Sequence, residues 1–182
     1  MSSEASLRKK DLVCPECGAN IKVSDDSASL LCSACGTRYS YHPESRIVPN
    51  LNFQQAKERT ISYEVTNDII LTRNERGFII LQDSKMPSIE ERLPIRTHFI
   101  SRPHLEISVE NRYELVENGE EKALIRKLDC VVKDLNSQNG TMVNNKQLSI
   151  DEEHRLEHND VIILAPNCSG QVKIVFKQRH IS

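Results

Sequence analysis

A chain of 182 residues has room for one domain or two small ones, and a net charge of −2 gives it no global field toward nucleic acid or an anionic membrane. No run of apolar residues is long enough to span a bilayer as a helix. The first ten residues lack the apolar core of a signal peptide, so the cytoplasm is the expected location and no membrane is expected as a partner. Six cysteines in that compartment argue against a disulfide framework.

Residues 1–12 are polar and small, and read as a disordered tail. Residues 13–41 carry two knuckles, Cys14-Pro-Glu-Cys17-Gly18 and Cys32-Ser-Ala-Cys35-Gly36. The glycine after each pair lets the chain fold back so that backbone N–H groups reach the sulfurs. Between the knuckles, Ile21-Lys-Val23 and Ser29-Leu-Leu31 flank a polar turn and read as a hairpin, with Thr37–Tyr41 as a third strand. Two Cys-x-x-Cys pairs with these glycines fit a metal better than a redox motif. Cys14, Cys17, Cys32 and Cys35 suit one tetrahedral zinc ion, and four thiolates leave no open position for water, so the ion is expected to be structural. The segment resembles a zinc ribbon. A unit this small buries little apolar area, so metal binding and folding should be coupled.

Residues 42–50 hold two prolines and read as a linker. From residue 51 to 180 the pattern is short strands and turns: Leu51–Phe53, Thr60–Val65, Ile69–Arg73, Gly77–Leu81, then a hairpin of Tyr113–Val116 and Ala123–Ile125 around Asn118-Gly119. Cys130–Val132, Val161–Leu164 and Val172–Phe176 complete the set. Many short strands with frequent turns predict an all-β sandwich or barrel. Cys130 reads as a small buried strand residue and Cys168 as a bystander in a turn.

Two loops carry more chemistry than turns need. One reads Phe99-Ile-Ser101-Arg102-Pro103-His104 and runs into an alternating strand in which Leu105, Ile107 and Val109 are apolar. The other reads Asp134-Leu-Asn-Ser137-Gln138-Asn139-Gly140-Thr141-Met-Val-Asn144. If both sit at one end of a sandwich, their hydroxyls, amides and arginine form a patch that can bond an anion and an extended peptide. Ser101-Arg-x-His104 followed by Ser137-x-Asn-Gly-Thr-x-Val-Asn144 resembles the forkhead-associated (FHA) family. Asn159-Asp160-Val-Ile-Ile-Leu164 is similar to that family's Gly-Asp-x-Ile-x-Leu. The resemblance covers roughly residues 51–178 and implies an FHA-like β-sandwich of short antiparallel strands.

It also implies the site. The family's phosphate-gripping arginine ends a strand; here Arg73 matches, although Thr72 stands where the family has glycine. Residues 84–98 read as an insertion that lengthens the neighbouring loop and brings in Arg96 as the alternative phosphate-binding arginine. Ser101, Arg102, Gln138 (where the family often has threonine), Asn139 and Asn144 fall on the phosphopeptide-binding positions; His104 and Gly140 fall on structural ones. The implied ligand is a phosphothreonine-containing protein or peptide, and the implied setting is an adaptor beside a Ser/Thr protein kinase or its substrates.

Three other readings stand beside this one. A nucleic-acid or transcription-associated factor led by the ribbon needs a basic surface, yet residues 1–41 balance five basic against five acidic side chains, and a zinc held by four thiolates adds negative charge. An FHA scaffold that has lost phosphate binding is the second. An enzyme is the third, and neither a triad order nor a phosphate-cradling glycine loop is present.

Overall fold

The computed structural model describes residues 12–21, 29–54, 60–75, 77–82, 90–93 and 99–181, with backbone alone at 42–45, 74, 77–79, 81–82 and 90–93. Every regular element among them is a β-strand. In chain order these are β1 (Leu12–Val13), β2 (Asn20–Ile21), β3 (Ser29–Leu31), β4 (Arg38–Gln54), β5 (Thr60–Glu64), β6 (Ile69–Asn74), β7 (Gly77–Gln82) and β8 (Glu90–Leu93). They continue with β9 (Leu105–Asn118), β10 (Glu121–Asp134), β11 (Thr141–Val143), β12 (Lys146–Gln147), β13 (Glu153–Arg155), β14 (Val161–Leu164) and β15 (Val172–Ile181). The described residues form two compact units: one from within 1–48, 110–129 and 179–182, the other from within 49–109 and 130–178.

In the first unit each cysteine knuckle turns the chain back on itself. Gly18 N–H donates to Cys14 O, and Cys14 N–H to Ala19 O; Gly36 N–H donates to Cys32 O, and Cys32 N–H to Thr37 O. The strand before a knuckle therefore pairs with the strand after it. Leu12 of β1 pairs with Ile21 of β2, and Ser29–Leu31 of β3 pair with Arg38–Ser40 of β4, both antiparallel. Ile21 and Ser29–Leu31, expected in the two arms of one hairpin, each take partners across their own knuckle, and Lys22, Val23 and the turn expected after them lie outside the described residues. The β1–β2 pairing also removes Leu12 from the expected tail, because Leu12 is a buried strand residue; residues 1–11 lie outside the described ones.

The tip of the β9–β10 hairpin belongs to this unit. Ala123 and Leu124 of β10 run parallel to Ser40 and Tyr41 of β4. Leu124 joins Leu12, Cys14, Ile21, Leu30, Cys32, Tyr39 and Tyr41 in one apolar cluster, with Tyr113 and Leu115 packed against it. The Tyr41 and Tyr113 rings are tilted at 56° with centroids 6.0 Å apart, a favourable aromatic geometry. Lys122 pairs with Glu16.

In the second unit, period-two burial builds the core. Leu51, Phe53, Ile69, Leu71, Leu105, Ile107, Ile162, Leu164, Val172, Ile174 and Phe176 all point into one cluster. Residues 50–54 of β4 pair with β5, β6 pairs with both β7 and β9, β10 pairs with β13, and β14 lies between β11 and β15. Cys130 is fully buried in the cluster and Cys168 packs on its margin.

Three further expectations change. The stretch 42–50, expected as a linker, is strand throughout, within β4. Proline removes only an N–H from a strand, and Pro49 still accepts from Val65 N–H through its carbonyl at 2.9 Å. Residues 84–98, expected as an inserted loop, include β8, whose Glu90–Leu93 pair antiparallel with β7. Nor are the strands uniformly short and antiparallel: β4 has 17 residues, β9 and β10 have 14 each, and β10 runs parallel to β4.

Candidate functional site

The loops at 99–104 and 134–144 meet in the second unit, and a buried histidine joins them. His104 has no exposed surface. Its Nδ1 accepts from Ser101 N–H at 3.0 Å, which leaves Nε2 as the protonated nitrogen, donating to Gly140 O at 3.1 Å. Its backbone N–H donates to Leu71 O at 3.0 Å, and its carbonyl accepts from Leu135 N–H at 2.9 Å. One residue thus ties strand β6, both loops and the end of β10. Burial holds its pKa below the ordinary imidazole value, against the opposing pull of Gly140 O and Asp134.

Two direct bonds close the loops on each other. Gln138 N–H donates to Ser101 Oγ at 2.8 Å, and Asn139 Nδ2 donates to Phe99 O at 2.9 Å. A hydroxyl that accepts keeps its own proton for another acceptor, so Ser101 stands as a donor at this junction. Gln138 contributes its backbone to the bracing, and its side chain is exposed. Arg102 is exposed.

Asp134, given no role in the sequence reading, organises the second loop. Its Oδ1 accepts from Ser137 N–H at 2.7 Å; its Oδ2 accepts from Ser137 Oγ at 2.6 Å and from Thr141 Oγ1 at 2.5 Å. Asp three residues before Ser is an Asx-type turn pattern, the available signal for this role. Gly140 has φ +77, and a Cβ there would collide with the Gln147 amide. Its carbonyl also accepts from Ala165 N–H at 3.0 Å.

Asn144, expected among the ligand contacts, is engaged within the protein. Its Nδ2 donates to Asp160 Oδ1 at 2.7 Å and its Oδ1 accepts from Val161 N–H at 2.9 Å. Asn159, where the related motif has glycine, takes φ 77, a left-handed conformation that glycine adopts freely and asparagine tolerates.

Arg73 lies on β6. That strand pairs Leu71 with Leu105 in antiparallel register, so two more residues carry Arg73 toward Pro103 and Arg102. The side chain is half-buried, and its Nε is sealed from water without an acceptor among the described residues. A desolvated donor without a partner costs about 1–3 kcal/mol, so the position suits an anion. Thr72 is buried, its side chain taken into the sheet. Arg96 lies outside the described residues.

The cysteines form a second constellation, in the first unit. The sulfurs of Cys14, Cys17, Cys32 and Cys35 all lie within 4.8 Å of one another. Cys14 to Cys35 is 3.7 Å and Cys17 to Cys32 is 3.6 Å. A tetrahedron with 2.3 Å metal–sulfur bonds has edges of about 3.8 Å, so these two edges suit such an ion. The Tyr39 hydroxyl, 3.1 Å from Cys14 Sγ, helps bring that thiol down to about 6, in the direction of a ligating thiolate.

Among the described residues no helix is long and apolar enough to cross a membrane. No curated protein matches the sequence. Among solved structures, the chain is similar to the yeast Pml1 splicing factor, known with its integration into the RES complex. That pair is 20% identical over 76% of this chain and 85% of that chain, with a TM-score of 0.52, a likeness of fold. An FHA domain solved in work on phosphothreonine-dependent FHA interactions is 26% identical over 72% of this chain and 97% of that chain, with a TM-score of 0.42. The FHA domain family profile matches residues 88–165, which include both loops and the Asp134 turn within the second. Residues 88–165 are therefore similar to the FHA domain family, and the four-cysteine cluster is consistent with an accompanying zinc ribbon.

Proposed function

We propose that the two loops and Arg73 bind a phosphothreonine on a partner protein, making this chain a cytoplasmic adaptor beside a Ser/Thr protein kinase or its substrates. FHA domains are in general phosphothreonine-binding interaction modules. The observation that carries the reading here is the closure of the loops: Gln138 N–H on Ser101 Oγ and Asn139 Nδ2 on Phe99 O, with His104 beneath. It leaves the Ser101 proton, the Arg102 side chain and the unanswered Arg73 Nε as donors for a dianion with three acceptor oxygens. A carboxylate has fewer acceptors and less charge, and leaves some of those donors unpaired. Asn139 is assigned to the ligand main chain, and Asn144 to holding its loop.

The four cysteines hold one structural zinc in this reading. The metal keeps the first unit folded and exposes no open coordination position for chemistry.

The test is capture from a degenerate phosphothreonine peptide library, followed by titration of a captured peptide in phosphorylated and unphosphorylated forms. We expect binding to need the phosphate, to fall by about tenfold or more in Arg73→Ala and in Ser101→Ala, and to survive Lys146→Ala. Equal affinity for the two peptide forms overturns the proposal.

A further inference from the structure

We propose that the first unit carries a separate oxyanion site, built on Arg46 and Arg126 and matched to one phosphate dianion. The two arginines are register partners in the parallel pairing of β4 with β10. Register partners present their side chains on the same face of a sheet, with backbones about 5 Å apart. The pairing is irregular at this point. From Leu124 to Arg126, β10 advances two residues while β4 advances from Tyr41 to Arg46. Bulges bend a strand and re-aim its side chains, and this one brings Arg46 opposite Arg126.

Like charges opposite each other in a sheet are destabilising, and nothing among the described side chains answers this pair. Both residues are half-buried. Arg46 Nε is sealed from water and has no acceptor among the described residues. Arg126 Nε donates to Asn111 Oδ1 at 2.9 Å, which orients the guanidinium without neutralising it. Two of the hairpin's carboxylates are engaged by other cations. Asp129 accepts from Arg112 at 3.0 Å, and Glu114 lies 3.5 Å from Lys127.

Two planar forks with a combined charge near +2 are complementary to a phosphate group, which brings roughly −1.5 to −2 and three acceptor oxygens. A single carboxylate neutralises only one of the two. The site belongs to the first unit, whereas Ser101 and Arg73 belong to the second. The inference rests on first-unit residues alone and stands apart from that reading.

The experiment is a titration of inorganic phosphate into the metal-loaded full chain at constant ionic strength, read from the Nε–H resonances of arginine. We expect saturable shifts of Arg46 and Arg126 that persist in Arg73→Ala. Arg46→Gln should weaken phosphate by about tenfold or more, and Arg46→Lys, which keeps charge but loses the fork, by less. Arg126→Gln carries the same expectation as Arg46→Gln, so one unfolded variant does not end the test. Non-saturating shifts like those from chloride, acetate binding as tight as phosphate, or folded Arg46→Gln and Arg126→Gln proteins with unchanged affinity would each overturn the site.

Discussion

The two units hold themselves together by different means. In the first, eight described side chains make the buried apolar cluster, and two of them, Cys14 and Cys32, belong to the four-sulfur constellation. In the second, twenty-one described side chains share a cluster with no such constellation, and the loops above it are fixed by hydrogen bonds to His104 and Asp134. A small core can be completed by metal ligation, while a larger one can keep a polar loop network in place. Order in the first unit should therefore depend on metal, and order in the loops on two buried polar side chains.

Withdrawing the metal should give the largest effect, because ligation in ribbons of this size is worth about 10–16 kcal/mol at neutral pH. With a strong chelator, or in Cys17→Ser, the amide resonances of residues 12–41 and of the 110–129 hairpin should collapse toward random-coil positions. Those of 60–75 and 130–178 should stay dispersed. Loss of dispersion throughout would erase the contrast, and metal analysis of the untreated protein should return one zinc per chain.

Next in size is Asp134→Ala, which strands Ser137 N–H, Ser137 Oγ and the fully buried Thr141 Oγ1. Urea unfolding should show a loss of about 2–4 kcal/mol in the second unit, with metal content unchanged.

His104 sharpens the comparison through pH. Its folded pKa is below the unfolded value, so the unfolded state takes up the proton first as pH falls. The stabilisation is complete above about 6.5 and declines below it by roughly 1.4 kcal/mol per pH unit until the folded pKa is reached. Denaturant midpoints of the second unit between pH 7.5 and 5.5 should slope accordingly, and those of His104→Gln should be flatter.

The smallest change expected is in Tyr113→Ala, about 1–2 kcal/mol from the lost ring contact with Tyr41. It should lower the melting of the first unit and leave the second untouched, although Tyr113 lies on a strand that begins at Leu105 in the second.

Local chemistry made much of this visible in the sequence. Alternation marked Leu105–Val109, the Asn118-Gly119 pair marked the hairpin turn, and the glycine knuckles marked the four clustered cysteines. What stayed hidden is set by distant partners. The hairpin arms carry Glu110, Arg112, Glu114, Arg126 and Lys127, which read as surface, yet their alternate residues Tyr113, Leu115 and Leu124 face the first unit's core. Nothing local announces a parallel pairing between residues more than eighty positions apart, such as Ala123 with Ser40. At the loops, the motif located Ser101 and Asn139. The work of Asp134, and the way Asp160 and Val161 occupy the Asn144 amide, appear only once three separate turns are brought together.

The hairpin that completes the first unit has a consequence for synthesis on the ribosome. The knuckles emerge early, but Tyr113, Leu115 and Leu124, which cover their apolar side, leave the tunnel some seventy to eighty residues after Tyr41. At 5–20 residues per second that is a delay of roughly 4–16 s. During it the nascent segment has four sulfurs and half a core. Metal captured in that window would keep the segment from straying into aggregation until its cover arrives, and cation supply would then bear on yield as well as on final stability.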